Sequence, residues 1–92
     1  MGFMLAHFEI DDYDAWKRDR FDRDPAGRKQ VAKSHMIFRA VEDPSKIFIG
    51  VEFPSTEDAT SFRERLMASG ALEGINVVTP PTVVELVDRV EY

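Results

Sequence analysis

The chain has 92 residues, the size of one domain with a small core, so residues 1–92 are treated as a single domain. It contains no cysteine, which excludes disulfides, thiolate catalysis and metal sites that need sulfur. The net charge is −5 with acidic and basic residues interleaved, which argues against nucleic-acid binding, and no apolar run is long enough to span a membrane.

Residues 3–10 form the first predicted strand. The segment is almost entirely apolar, as expected of a central strand with both faces covered. Alternation gives one purely apolar face that should pack against helices: Met4, Ala6, Phe8 and Ile10. The opposite face then carries Phe3, Leu5, His7 and Glu9.

A helix should follow, capped by Asp11 or Asp12 and ending at Asp24, before Pro25. Its inner side carries four residues at helical spacing: Tyr13, Trp16, Arg20 and Phe21. The polar segment 26–33 is predicted to be a loop.

Residues 34–41 and 46–53 are predicted to pair as a hairpin around the turn Glu42-Asp43-Pro44-Ser45. In the second of these strands one face is apolar: Ile47, Ile49, Val51 and Phe53. The other face carries Lys46, Phe48, Gly50 and Glu52.

The second predicted helix starts after Ser55, which is the N-cap with Asp58 three residues on. Ala59, Phe62 and Leu66 form its inner stripe, and Gly70 fits a C-terminal cap. A last strand, from Thr82 to about Val90, is predicted to begin after Pro80-Pro81, because proline cannot donate to a strand ladder.

The element order β-α-β-β-α-β predicts an α+β, ferredoxin-like fold with an antiparallel four-stranded sheet. Two helices can cover only one face of such a sheet. The other face should carry Leu5, His7, Phe48 and Glu52, and Ile37, Arg39 and Glu85 are further candidates for it. A face of this mixed character needs a partner, so we expect a homodimer that encloses a cavity.

The chain resembles the dimeric α/β-barrel group, which includes the antibiotic-biosynthesis-monooxygenase-like proteins. The resemblance covers residues 3–90 and rests on short segments in a shared order: His7, Asp12-Tyr13-Asp14-Ala15-Trp16-Lys17, Phe21-Asp22, Phe38-Arg39, Glu42-Asp43-Pro44, Ile49-Gly50-Val51-Glu52-Phe53, Ser55-Thr56-Glu57-Asp58-Ala59 and Phe62. It implies two sheets packed face to face in a dimeric barrel. Relatives include oxygenases without cofactors, haem-degrading enzymes, cyclases and isomerases. Haem chemistry is disfavoured here, because His7 stands where the haem-degrading branch has asparagine.

The resulting hypothesis is a cofactor-independent monooxygenase or a proton-transfer enzyme of the cyclase or isomerase kind, acting on a small aromatic or polyketide-like molecule. His7 would be the base, Glu52 would orient it, and Arg39 would stabilise negative charge on oxygen. Leu5, Phe48 and Gly50 would line the cavity. No cofactor and no metal is expected, and we expect the protein in the cytoplasm.

Other interpretations remain open at this point. His7 could be a structural histidine bonded to Glu9, Glu52 or a backbone carbonyl. Glu52 could pair with Arg39 across neighbouring strands. The whole protein could be a non-catalytic ligand-binding or stress-related dimer, or its barrel could serve only as an assembly interface.

Overall fold

Four strands and three helices build the chain, and the computed structural model describes all residues from Met1 to Tyr92. The strands are β1 (Gly2–Glu9), β2 (Ser34–Arg39), β3 (Lys46–Phe53) and β4 (Asn76–Val84), and the helices are α1 (Tyr13–Trp16), α2 (Arg28–Val31) and α3 (Thr56–Ala68). All strand pairs are antiparallel, in the order β2-β3-β1-β4. This confirms the α+β, ferredoxin-like prediction.

The core lies between one face of the sheet and the helices. The alternation predicted for β1 is confirmed, since Met4, Ala6 and Phe8 are buried. The same holds for β3, whose buried side comprises Ile47, Ile49, Val51 and Phe53. Trp16, Ala59 and Phe62 cover this side from the helices. The side chains of the two central strands that alternate with these therefore belong to the other face.

The first helix begins as predicted and ends earlier. Asp12 is its N-cap, and its carboxylate accepts the N–H of Ala15 at 3.0 Å. After α1 the chain continues directly into a π-helical turn, Lys17–Phe21, in which the N–H of Asp22 donates to the carbonyl of Lys17 at 2.8 Å. The wider turn places the ring of Phe21 5.2 Å from that of Trp16, where it packs against the core.

The prediction of a plain loop over 26–33 is wrong, because α2 lies within it. The two carboxylate oxygens of Asp24 accept the N–H groups of Arg28 and Lys29, at 2.7 and 2.9 Å. These bonds satisfy donors at the start of the short helix. Gly27 supplies the left-handed turn before it, with φ of 76°.

The hairpin and the third helix follow the prediction closely. Strand β3 has the predicted bounds, and β2 ends two residues earlier than expected, at Arg39. Ser55 caps α3 by accepting the N–H of Asp58 at 3.1 Å. Gly70 follows the helix with φ of 77°, as a C-terminal glycine should.

The predicted bounds of the last strand are wrong. Strand β4 starts at Asn76 and ends at Val84, so Pro80 and Pro81 lie inside it. The sheet tolerates them because β4 is an edge strand, and its pairing with β1 is irregular between Leu5 and His7. A bulge at an edge is one of the few sheet positions where proline costs no ladder bond. Residues 85–92 form no regular secondary structure.

None of the helices has both the length and the apolar character needed to traverse a lipid bilayer.

Candidate functional site

The sheet face that the helices leave uncovered, here called the open face, carries several large apolar side chains. Met36 and Phe38 of β2 are 61% and 56% exposed, and Leu5 of β1 is 49% exposed. A groove of about 210 Å³ runs across this face. Its lining includes Phe3, Leu5, Ser34, Met36, Phe38, Phe48, Gly50 and Glu52. The three predicted cavity-lining residues, Leu5, Phe48 and Gly50, are therefore together in this groove.

His7 lies beside the groove, in the centre of the sheet. It pairs with Phe48 of β3 on one side and with Thr79 of β4 on the other. The imidazole stacks on the ring of Phe48, with centroids 4.1 Å apart and planes inclined by 17°. Its Nε2 atom is buried and has no hydrogen-bond partner within the chain. Buried ring nitrogens are normally bonded, so Nε2 is a group with unused hydrogen-bonding capacity.

Glu52 lies on the open face as predicted, but it is far from His7. It pairs with Phe3, which is four residues from His7 along β1, a separation of about 13 Å at the usual strand rise. Its carboxylate lies 3.4 Å from the Ser34 hydroxyl and 3.9 Å from the Lys33 ammonium. The predicted contact in which Glu52 orients His7 is wrong, because the antiparallel register separates the two residues.

Arg39 lies on the helix-covered face. It pairs with Ile47, a core residue, and its guanidinium is 5.5 Å from the ring of Tyr13 at the start of α1. Since neighbouring strand residues alternate between faces, Arg39 and Glu52 point to opposite sides of the sheet. The alternative interpretation that pairs Arg39 with Glu52 is therefore wrong. The predicted role of Arg39 in stabilising negative charge on oxygen is also wrong, because the residue does not line the groove on the open face. Ile37 is likewise on the helix side, where it packs against the core.

Two features of the open face were not predicted from the sequence. Glu9, at the end of β1, accepts a hydrogen bond from the Asn76 side chain at 2.8 Å, so it is bonded to β4 and not to His7. Met36 and Phe38 form the apolar edge of the groove, opposite Gly50 and Phe48. Alternation could have assigned them, but the apolar run Met36-Ile37-Phe38 hides which of its residues face which side.

The titratable groups on the open face do not cluster. Nowhere in the chain do three His, Asp or Glu side chains come close enough to hold a metal ion.

His35, the second histidine, is on the helix side of the edge strand β2, where its ring meets that of Phe21 edge-on at 5.1 Å. Burial of the ring is the main cause that lowers the pKa of His35, and the nearby positive charge of Arg28 is the next.

No family model and no curated protein matches the sequence. Among solved structures, a candidate antibiotic biosynthesis monooxygenase from Deinococcus radiodurans has a TM-score of 0.68 at 13% identity, covering 100% of this chain and 98% of its own. A protein from Agrobacterium tumefaciens has a TM-score of 0.64 at 16% identity, with 95% and 94% covered. A protein from Mycobacterium tuberculosis has a TM-score of 0.63 at 15% identity, with 98% of both chains covered. The chain therefore has the fold of the antibiotic-biosynthesis-monooxygenase-like proteins.

Proposed function

We propose that two copies of the chain pair through their open faces and enclose a cavity for a small aromatic or polyketide-like molecule. This proposal is supported by the apolar surface that a single copy of the chain exposes to water. Leu5, Met36, Phe38 and Phe48 are all exposed and adjoin one groove. Contiguous exposed apolar surface of this kind marks an interaction site in a small protein.

The composition of the groove favours a flat, aromatic ligand. Phe38 and Phe48 oppose each other on neighbouring strands, so their rings offer surfaces on which another ring can stack. Gly50 leaves space between them and Glu52, because it has no side chain on this face. A pocket with apolar walls and few polar groups is typical of sites for small organic molecules.

We further propose that the protein is a cofactor-independent oxygenase, with His7 as the base. The observation that carries this is the buried, unbonded Nε2 of His7 beside an apolar groove. A neutral imidazole there would take the proton of a phenol and leave an electron-rich anion. That anion would react with oxygen: a ring C–H carbon becomes a carbonyl, one oxygen atom enters the product, and the other leaves as water. The substrate supplies all four electrons.

The decisive experiment compares wild-type protein with a His7→Gln variant, using a panel of two- and three-ring phenols. Oxygen consumption and quinone formation are followed together. The variant should lose about 100-fold or more in turnover, the usual contribution of a general base, while binding persists. Glu64→Gln, a change at an exposed residue of α3 on the helix side of the sheet, is the control and should retain activity. Full turnover by His7→Gln would refute the role of His7.

A second candidate is ligand binding without catalysis. It is favoured by the absence of a carboxylate hydrogen-bonded to His7, since Glu52 is distant and Glu9 is bonded to Asn76. A base without an orienting partner is less well positioned for proton transfer. Saturable binding of a phenol with no oxygen consumption, in both wild-type and variant protein, would establish this alternative.

A further inference from the structure

A second cavity lies on the other side of the sheet from the open face, between the sheet and the helices. Its volume is about 70 Å³. Ala6 and Val51 contribute to its floor, and Trp16, Phe62 and Leu66 contribute to its helical walls. Most of the lining is hydrophobic, with three charged exceptions: Arg20, Asp24 and Arg28. We call it the helix-side cavity.

Two of these charged groups are occupied in holding the walls together. Arg20 donates to the backbone carbonyl of Ala71 at 2.6 Å, which ties the first helical segment to the chain after α3. Asp24 accepts the backbone N–H groups of Arg28 and Lys29. Neither side chain therefore needs a ligand to satisfy it.

Arg28 is different, because it is buried and poorly bonded. It is only 6% exposed, and its guanidinium stacks over the ring of Phe21 at 3.8 Å. Its Nη1 makes one long hydrogen bond, 3.4 Å to the carbonyl of Phe21, and lies 3.8 Å from the Asp24 carboxylate. Its Nη2 is buried with no partner in the chain. Burial lowers the pKa of Arg28, but a guanidinium remains charged at neutral pH.

We propose that Arg28 and the helix-side cavity form a binding site for a small monocarboxylate of about three carbons. The carboxylate would accept a charge-assisted hydrogen bond from Nη2, and the hydrocarbon part would fill the apolar space. The size follows from the volume, since an apolar cavity of about 150 Å³ holds a benzene ring and this one is about half as large. The site is independent of His7, which lies on the opposite face.

Sodium propionate is the probe, and amide chemical shifts in two-dimensional NMR are the readout. Propionate should give saturable shifts around residues 24–29 and 71–75, with a dissociation constant on the order of 1 mM, as expected for so few atoms. Propionamide has the same shape without the charge, and it should bind about tenfold more weakly or worse. Shifts that sodium chloride reproduces, or the absence of saturable shifts, would overturn the proposal.

Two variants locate the site. Arg28→Gln should weaken propionate binding by about tenfold or more, while Arg23→Gln, at an exposed arginine of the same segment, should leave it unchanged. If Arg28→Gln fails to fold, Ala71→Leu provides the test, because it fills the cavity without removing the guanidinium. Propionate binding by Ala71→Leu at wild-type strength would place the ligand elsewhere and refute the assignment.

Discussion

Replacing Phe38 by serine should dissociate the proposed dimer without unfolding the subunit. Phe38 is 56% exposed, so covering an aromatic side chain of about 200 Å² would remove about 110 Å² from water. At about 25 cal/mol per Å², burial of this area contributes about 3 kcal/mol of hydrophobic free energy per copy, and between about 5 and 6 kcal/mol for two symmetric copies. Only part of the free energy of burial appears as affinity, so we expect Phe38→Ser to weaken the free energy of dimerisation by about 2 to 3 kcal/mol.

This loss should raise the dimer dissociation constant between about 30- and 150-fold. Sedimentation equilibrium over a range of concentrations measures it directly. The folded subunit should lose no more than about 1 kcal/mol, the size of one cross-strand contact with Phe48. Met67→Ser is the matched control, since Met67 is a similarly exposed apolar residue on α3, away from the open face. A dissociation constant unchanged by Phe38→Ser, or one changed equally by Met67→Ser, would refute the open-face interface.

Two further predictions concern the fold. A Cβ on Gly2 would clash with the backbone of Ser55, so Gly2→Ala should lower the free energy of unfolding by about 1 to 3 kcal/mol. Gly50→Ala should lower it less, because the atom nearest to its Cβ, in the Leu5 side chain, would be 3.4 Å away. The reverse order of the two variants in urea titrations would contradict this prediction. The hydroxyl and N–H of Ser45 lower the pKa of Asp43, so the folded state should lose stability as the pH falls through that lowered value. Ser45→Ala should make this loss of stability below about pH 4 smaller. A wild-type urea midpoint that is the same at pH 3 as at pH 7 would contradict the prediction.

Local patterns predicted much of the fold because they depend on neighbouring residues. The alternation in residues 3–10 identified the buried face of β1, and the caps Asp12 and Ser55 identified two helix starts. Each of these signals lies within a few residues of the feature it specifies. Helix α2 was missed although its initiating contacts are also local. The carboxylate of Asp24 accepts N–H groups four and five residues on, across the positive-φ turn at Gly27, whereas Asp12 and Ser55 each accept an N–H three residues on, in the usual capping pattern.

The candidate site was only partly predictable, since its geometry depends on how strands pair. That His7, Phe48 and Glu52 share the open face follows from alternation alone. The stacking of His7 on Phe48, and its distance of about 13 Å from Glu52, follow from the register between β1 and β3. The side of the sheet taken by Arg39 is likewise set by its pairing with Ile47, since the apolar run before it carries no alternation.

The sequence by itself determined the order of the four strands, the starts of α1 and α3, the fold class and the faces of the two central strands, because periodicity and capping act over a few residues. Tertiary structure decided the rest. Prolines can lie inside β4 only because it became an edge strand. Arg28 became a buried cation only because Phe21 and Asp24 pack around it. Which charged side chains meet, and which are left without a partner, depends on contacts between segments distant in the chain, and local composition does not encode those distances.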